Sequence, residues 1–412
     1  MSTRRWTAVA VVAAILAATA AAAPVASASG PAAVASSGGA APAGADAAGP
    51  RGRTAFPAST TGTWQRDLAG IGRSGPWTSA IARIEDGRRV WTSAAGVSDL
   101  ARPGQPLDEQ GRFRIGSVTK TFVATTVLQL VAEHRLSLDD TVEQHFPGLV
   151  PDGDRIVVRQ LLNHTSGLFD PSNAPGVLFP DLQTPAEYGE WIRQGGLMRT
   201  YTPRQLVRMA VEHPPTERGV FAYSNTNYHL LGMLIEKITG HTYADEITRR
   251  VLRPLGMNDT GFPGTSTTIP GPHAHSYIDT GASVPTDVSV MNPSWGGAAG
   301  EMISTTEDLL RFHRALLRGR LLPPAQMREM TTTVPTGGDP AGRYGLGLAS
   351  LRLSCGVTVW GHAGTIIGYK TPVWGTADRQ IAFSYTQGTE AEQERQEAGK
   401  AALLESAFCP TG

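Results

Sequence analysis

Three short segments carry residue types that act on carbonyl groups. The first is Ser117-Val118-Thr119-Lys120. Residues three apart share one face of a helix, so a hydroxyl and an amine meet there. A serine hydroxyl is a weak nucleophile until a neighbour takes its proton. A lysine does so once burial or nearby positive charge lowers its pKa. A helix N-terminus adds a positive potential that favours a developing oxyanion. Ser117 also suits a plain N-cap, and the motif alone is a weak signal.

The second segment is Tyr223-Ser224-Asn225. A tyrosine relays protons between nucleophile and leaving group. An asparagine holds a substrate amide and orients the lysine. Taken alone, the segment reads equally as the turn that starts a helix. The third is His362-Ala363-Gly364-Thr365 on a strand. Gly364 lets backbone approach a ligand, and the N–H groups of Thr365 and Ser117 suit an oxyanion hole. His273 and His275 have no third ligand at metal spacing, so no metal site is expected. There is no Gly-x-Ser-x-Gly elbow, which argues against an α/β-hydrolase, and no phosphate-cradling glycine loop; no cofactor is expected.

These segments need elements to hold them. Ser79–Ile84, a Glu85-Asp86-Gly87 turn and Arg88–Val97 predict a hairpin. From Ser117, apolar residues recur at helical spacing to Val131. Helices are expected over Asn227–Thr239, stopped by Gly240, over Thr306–Arg318, and over about 391–408. Strands are expected at Val357–Trp360, Ile366–Trp374 and Gln380–Tyr385. Strands at both ends with helices between predict an α+β fold: one antiparallel sheet built from both termini, flanked by helices, with a mostly helical region inserted over about 135–290.

Composition narrows the partners. Thirty-six basic and thirty-six acidic residues give a net charge of zero, which argues against nucleic acid. Residues 1–28 have the charged start, apolar stretch and Ala26-Ser27-Ala28 site of a secretory signal. Residues 29–56 read as an Ala/Gly/Pro-rich disordered leader, and the folded domain is expected over 57–412. Export makes the thiols of Cys355 and Cys409 candidates for a disulfide joining a strand to the C-terminal helix. No other stretch is apolar enough to span a bilayer, so no stable membrane anchor is expected.

In combination, the three motifs resemble the penicillin-recognising serine hydrolases: class C β-lactamases, low-molecular-mass DD-peptidases and related esterases. Phe113-Arg114-Ile115-Gly116-Ser117, Leu161-Leu162-Asn163-His164-Thr165-Ser166-Gly167 and Tyr223-Ser224-Asn225-Thr226-Asn227-Tyr228 match in their surroundings. The resemblance is nearest to a secreted DD-carboxypeptidase/transpeptidase. It implies the β-lactamase/transpeptidase-like fold and Ser117 as acyl-forming nucleophile. Lys120 and Tyr223 become proton handlers, and His362 takes the electrostatic position of the third motif. Asn225, Trp295, Gly364 and Thr365 bind substrate, while His164 belongs to a structural loop. Two positions depart from the pattern. The arginine and threonine that grip a terminal carboxylate in that carboxypeptidase correspond to Ala349 and Ala363 here. Strand alternation aims Arg352 at the other face, which leaves Lys370 and Arg343 as replacements. The resemblance therefore implies a secreted, monomeric D-alanyl-D-alanine carboxypeptidase-like enzyme, acting on a small peptide or β-lactam, with weakened carboxylate recognition. An esterase, a D-aminopeptidase, a class C-like β-lactamase and a catalytically silent binding protein are the alternatives.

Overall fold

The computed structural model describes residues 55–337 and 342–409. The expected signal and nearly all of the expected leader lie outside them. Phe56, assigned above to the leader, is packed with its ring 4.8 Å from Trp64.

The hairpin forms as expected, from β1 (Ser79–Asp86) and β2 (Arg89–Gly96), with Asp86 opposite Arg89. β3 (Phe113–Arg114) follows. The central segment contributes β4 (Tyr277–Ile278) and β5 (Thr286–Asp287), and β6 (Ile303–Ser304) pairs with β3. The C-terminal third supplies β7 (Val334–Pro335), β8 (Gly342–Tyr344), β9 (Ala349–Arg352), β10 (Thr358–Ile366), β11 (Tyr369–Gly375) and β12 (Arg379–Thr386). Eight strands make one antiparallel sheet in the order β2-β1-β12-β11-β10-β9-β8-β7. The N-terminal hairpin thus docks beside the last strand, with Ala82 opposite Phe383.

Alternation along the strands gives the sheet two apolar faces. Ala80, Ala82 and Ile84 of β1 face a layer of two terminal helices, Ala58–Gly72 and Glu390–Phe408. The first was not expected from sequence. Its apolar residues Trp64, Leu68 and Ile71 do keep helical spacing and are all buried, but Gly62, Gly70 and Gly72 dilute the signal. Trp64 donates to the Ser406 carbonyl at 3.1 Å, joining the two helices. The other face carries the Thr306–Leu317 helix and the larger helical core, where Phe122 stacks on Phe312.

Two boundaries change. The expected 366–374 strand crosses a turn, because Ile367-Gly368 reverses the chain. β10 instead runs unbroken from Thr358 to Ile366 and carries His362–Thr365, the segment expected on a strand. The central helix starts at Asn225, two residues early. The Cys355–Cys409 disulfide is present, with an S–S distance of 2.02 Å. Cys355 sits in the turn between β9 and β10, not on a strand, and Cys409 caps the last helix. Among the described residues no helix is long and apolar enough to cross a membrane.

Candidate active site

β3 leads into a single 3₁₀ turn, Gly116–Val118, and then into the Thr119–Ala132 helix. Ser117 is not an N-cap: Val118 holds that position, without a side-chain cap. The Ser117 hydroxyl instead meets Lys120, whose side chain is fully enclosed. Lys120 Nζ donates to Ser117 Oγ at 3.0 Å, Asn225 Oδ1 at 2.6 Å and the Ala299 carbonyl at 2.8 Å. An ammonium has three N–H groups, so all are in use. Burial pulls the pKa of Lys120 down to about 7, against the opposing charge of Asp170. Giving up one proton leaves a lone pair within reach of the Ser117 hydroxyl. That is what a general base requires.

Asn225 is held from behind by Asp170. Its backbone N–H and its Nδ2 donate to Asp170 Oδ2 at 3.1 and 3.0 Å, and Nδ2 also donates to Ser172 Oγ at 2.9 Å. Ser172 in turn donates its N–H and hydroxyl to Asp170 Oδ1. This pattern fixes the amide, because Nδ2 must face the carboxylate and Oδ1 must face Lys120. Burial pushes the Asp170 carboxyl upward, while its hydrogen bonds and Lys120 favour the ionised form. Sequence reading missed Asp170 and Ser172. Each is distant from Asn225 along the chain and carries no spacing signal.

The Tyr223 ring lies 4.9 Å from Lys120 Nζ and packs, tilted, against His164 at 4.1 Å. Its hydroxyl has no formed hydrogen bond among the described residues, though Ser117 is close enough to counter part of the rise that burial causes in its pKa. His164 accepts the Ser224 N–H on Nδ1 at 3.2 Å, with Asn227 Nδ2 at 3.1 Å from the same atom. It orders the loop before the Asn225 helix.

β9 covers only Thr358–Gly361, so the Ala363–Ile366 half of β10 lies free on that side and runs against the Ser117 turn. A side chain on Gly364 would strike the Ile115 carbonyl and lie 3.1 Å from the Ser117 amide nitrogen. One on Gly116, whose φ is +50°, would lie 2.8 Å from the Thr365 nitrogen. Glycine at both places is what lets the Ser117 and Thr365 amides approach one another.

His362 differs from expectation. Nε2 takes the Tyr344 hydroxyl at 2.8 Å, and Nδ1 bonds the Ala363 carbonyl at 2.6 Å. Burial and Lys120 push its pKa down to about 3, so the ring is neutral. Both nitrogens are occupied, and it presents no charge to the substrate side. It is not among the residues that line the cleft.

The cleft beside Ser117 spans about 430 Å³ of empty space, part of it open solvent. Trp295, Leu178, Leu206 and Ile366 give it apolar walls, while Asn225 and Thr365 also line it. No arginine or lysine is among the lining residues. Ala349 is buried in the sheet opposite Gly361, and Arg352 is exposed. Arg343 is tied to Thr333, and Lys370 to Glu397 at 3.0 Å, so neither supplies the missing cation.

The Beta-lactamase family model matches residues 78–407. Among solved structures, a D-stereospecific amidohydrolase from Streptomyces sp. is 39% identical with a TM-score of 0.73, covering 85% of this chain and 99% of that one. The D-amino acid amidase from Ochrobactrum anthropi SV3 complexed with L-phenylalanine is 27% identical with a TM-score of 0.71, covering 85% and 98%. PbpX of Bacillus subtilis (strain 168) is 27% identical over 282 residues, 68% of this chain and 63% of that protein. The chain thus spans less than two thirds of that relative's length. It belongs to the Beta-lactamase family and is a serine hydrolase with the β-lactamase/transpeptidase-like fold.

Proposed function

We propose that this Beta-lactamase family member is an amidohydrolase that cleaves amides or short peptides whose acyl residue is a D-amino acid. The observation that carries the reading is that, among the described residues, no arginine or lysine lines the cleft. Lys120 spends its three N–H groups inside the protein, so a terminal carboxylate finds no charged partner. A charge-assisted hydrogen bond contributes about 1.5–3 kcal/mol, so its loss disfavours the carboxypeptidase role. The likeness to a D-stereospecific amidohydrolase over nearly all of that chain supports the same choice.

In this reading Lys120, in its neutral form, takes the Ser117 proton as Oγ attacks the amide carbonyl. The N–H groups of Ser117 and Thr365 hold the oxyanion. The C–N bond then breaks, and the leaving amine receives its proton by way of Lys120 and Tyr223. Water hydrolyses the acyl-enzyme by the same route and regenerates Ser117. Asn225 orients Lys120 and contacts the substrate amide, Trp295 packs on its side chain, and His362 positions β10 from behind. The reading includes export, with a cleavable signal at residues 1–28 and a linker before Phe56, and a monomeric unit.

Hydrolysis of D- and L-phenylalanine amide, followed with the Ser117→Ala variant as control, tests it. The D-amide is expected to turn over at least about tenfold faster than the L-amide, with nothing from the variant. Turnover of D-alanyl-D-alanine peptides without turnover of D-amides would sink it.

A further inference from the structure

His229 lies one turn after Asn225 on the same helix face and forms part of the cleft wall. Only 4% of it is exposed. Yet its imidazole makes no hydrogen bond among the described residues, and its buried Nδ1 has no partner. A Cβ placed on Gly297 would come 3.6 Å from that nitrogen and 3.8 Å from the Tyr243 hydroxyl, which is already bonded to Glu301, so Nδ1 faces inward and Nε2 is the nitrogen not shielded by protein. A buried ring nitrogen left unpaired is costly and calls for an explanation. Burial and the Lys120 charge push the pKa of His229 down to about 3. The ring is therefore neutral, and with the proton on the inward Nδ1 its unshielded Nε2 is the acceptor on offer.

The surroundings define the ligand. The three N–H groups of Lys120 are already used, and no other cation lines the cleft. Asp170, whose carboxylate is bonded by Asn225 and Ser172, lends its negative charge to the same wall as His229, while Leu178, Leu206, Ile366 and Trp295 form the apolar surface. Such a cleft suits a group with a cationic amine next to an apolar side chain. We propose that His229 receives the free α-amino group of the substrate, so that the enzyme selects acyl residues whose amine is unblocked. This rests on the amidohydrolase reading above and names the residue behind its preference.

The test separates binding from turnover. In the Ser117→Ala background, calorimetry compares D-phenylalanine amide with its N-acetyl derivative. The free amine is expected to bind at least about tenfold more tightly. Adding His229→Phe should weaken the free amine by about tenfold or more and the acetylated ligand by less than about threefold, while His229→Gln should recover most of the loss. Equal weakening of both ligands, weakening of neither, or no measurable binding of the free amine would overturn the assignment. If the Phe variant does not fold, ¹⁵N NMR of the histidine-labelled Ser117→Ala protein decides. A ring-nitrogen shift at His229 with the free amine alone supports the proposal, and no shift overturns it. Turnover by the unmodified protein is measured apart. An enzyme that binds D-phenylalanine amide through His229 but does not hydrolyse it refutes the amidohydrolase reading and leaves the amine site standing.

Discussion

His362 and His229 are both enclosed, and both have pKa values pushed down to about 3 by burial and Lys120. His362 has each nitrogen engaged, by Tyr344 and by its neighbour's carbonyl. His229 lines the cleft with neither ring nitrogen engaged among the described residues. The same contrast separates the two polar regions around Ser117. The Lys120–Asn225–Asp170 set satisfies itself internally, which makes it rigid and ready for proton transfer. The His229 region is left open. A saturated network is suited to chemistry, because nothing in it rearranges when substrate arrives. An unsaturated one is suited to recognition, because its pairing waits for the ligand.

That contrast can be broken experimentally, beginning with its largest expected effect. Ser117→Ala should reduce amide turnover by at least about 10⁴-fold without lowering the melting temperature, as judged by initial rates and thermal scans. A residual rate near wild type would place the chemistry elsewhere. Asp170→Asn removes the carboxylate that sets the Asn225 amide, and should cost about 10²-fold in kcat. Asp170 also raises the pKa of Lys120, so the acidic limb of the rate profile should move to lower pH in this variant. An unmoved limb would mean the two groups are not coupled. In the wild type, Lys120 acts in its neutral form, so kcat/KM should rise with pH, by about tenfold per unit, until it levels near pH 7. A profile already flat at pH 5 would contradict a lysine base.

Away from the cleft the effects should be on stability. Replacing Cys355 and Cys409 by serine opens a bridge between residues 54 apart and should cost about 2–4 kcal/mol in denaturant unfolding, with kcat unchanged. Tyr344→Phe leaves His362 Nε2 without its donor and should cost about 1–3 kcal/mol, with less than about a tenfold effect on rate. A larger loss of rate would return His362 to the chemistry.

The parts of this site visible in sequence are those encoded by short-range geometry. Ser117 and Lys120 are readable because a three-residue step on a helix brings them together. Gly364 and Thr365 are readable because glycine on a strand marks close approach. Asp170, Ser172, Tyr344 and His229 were not readable. What each does depends on partners that only the folded chain supplies, and a single Asp or His carries no periodic signal. In the fold, the hairpin and the amphipathic helices were legible. The Ala58–Gly72 helix and the short strands β7 to β9 were not, because glycines dilute the former and tertiary pairing alone defines the latter.

The central claim is that the cleft offers no cation to a substrate carboxylate. The most direct measurement is the ratio of kcat/KM for D-alanyl-D-alanine amide to that for D-alanyl-D-alanine with its carboxylate free. The account predicts that the amide is preferred by about tenfold or more. Preference for the free carboxylate would mean that a cation reaches the cleft after all, and would restore the carboxypeptidase reading.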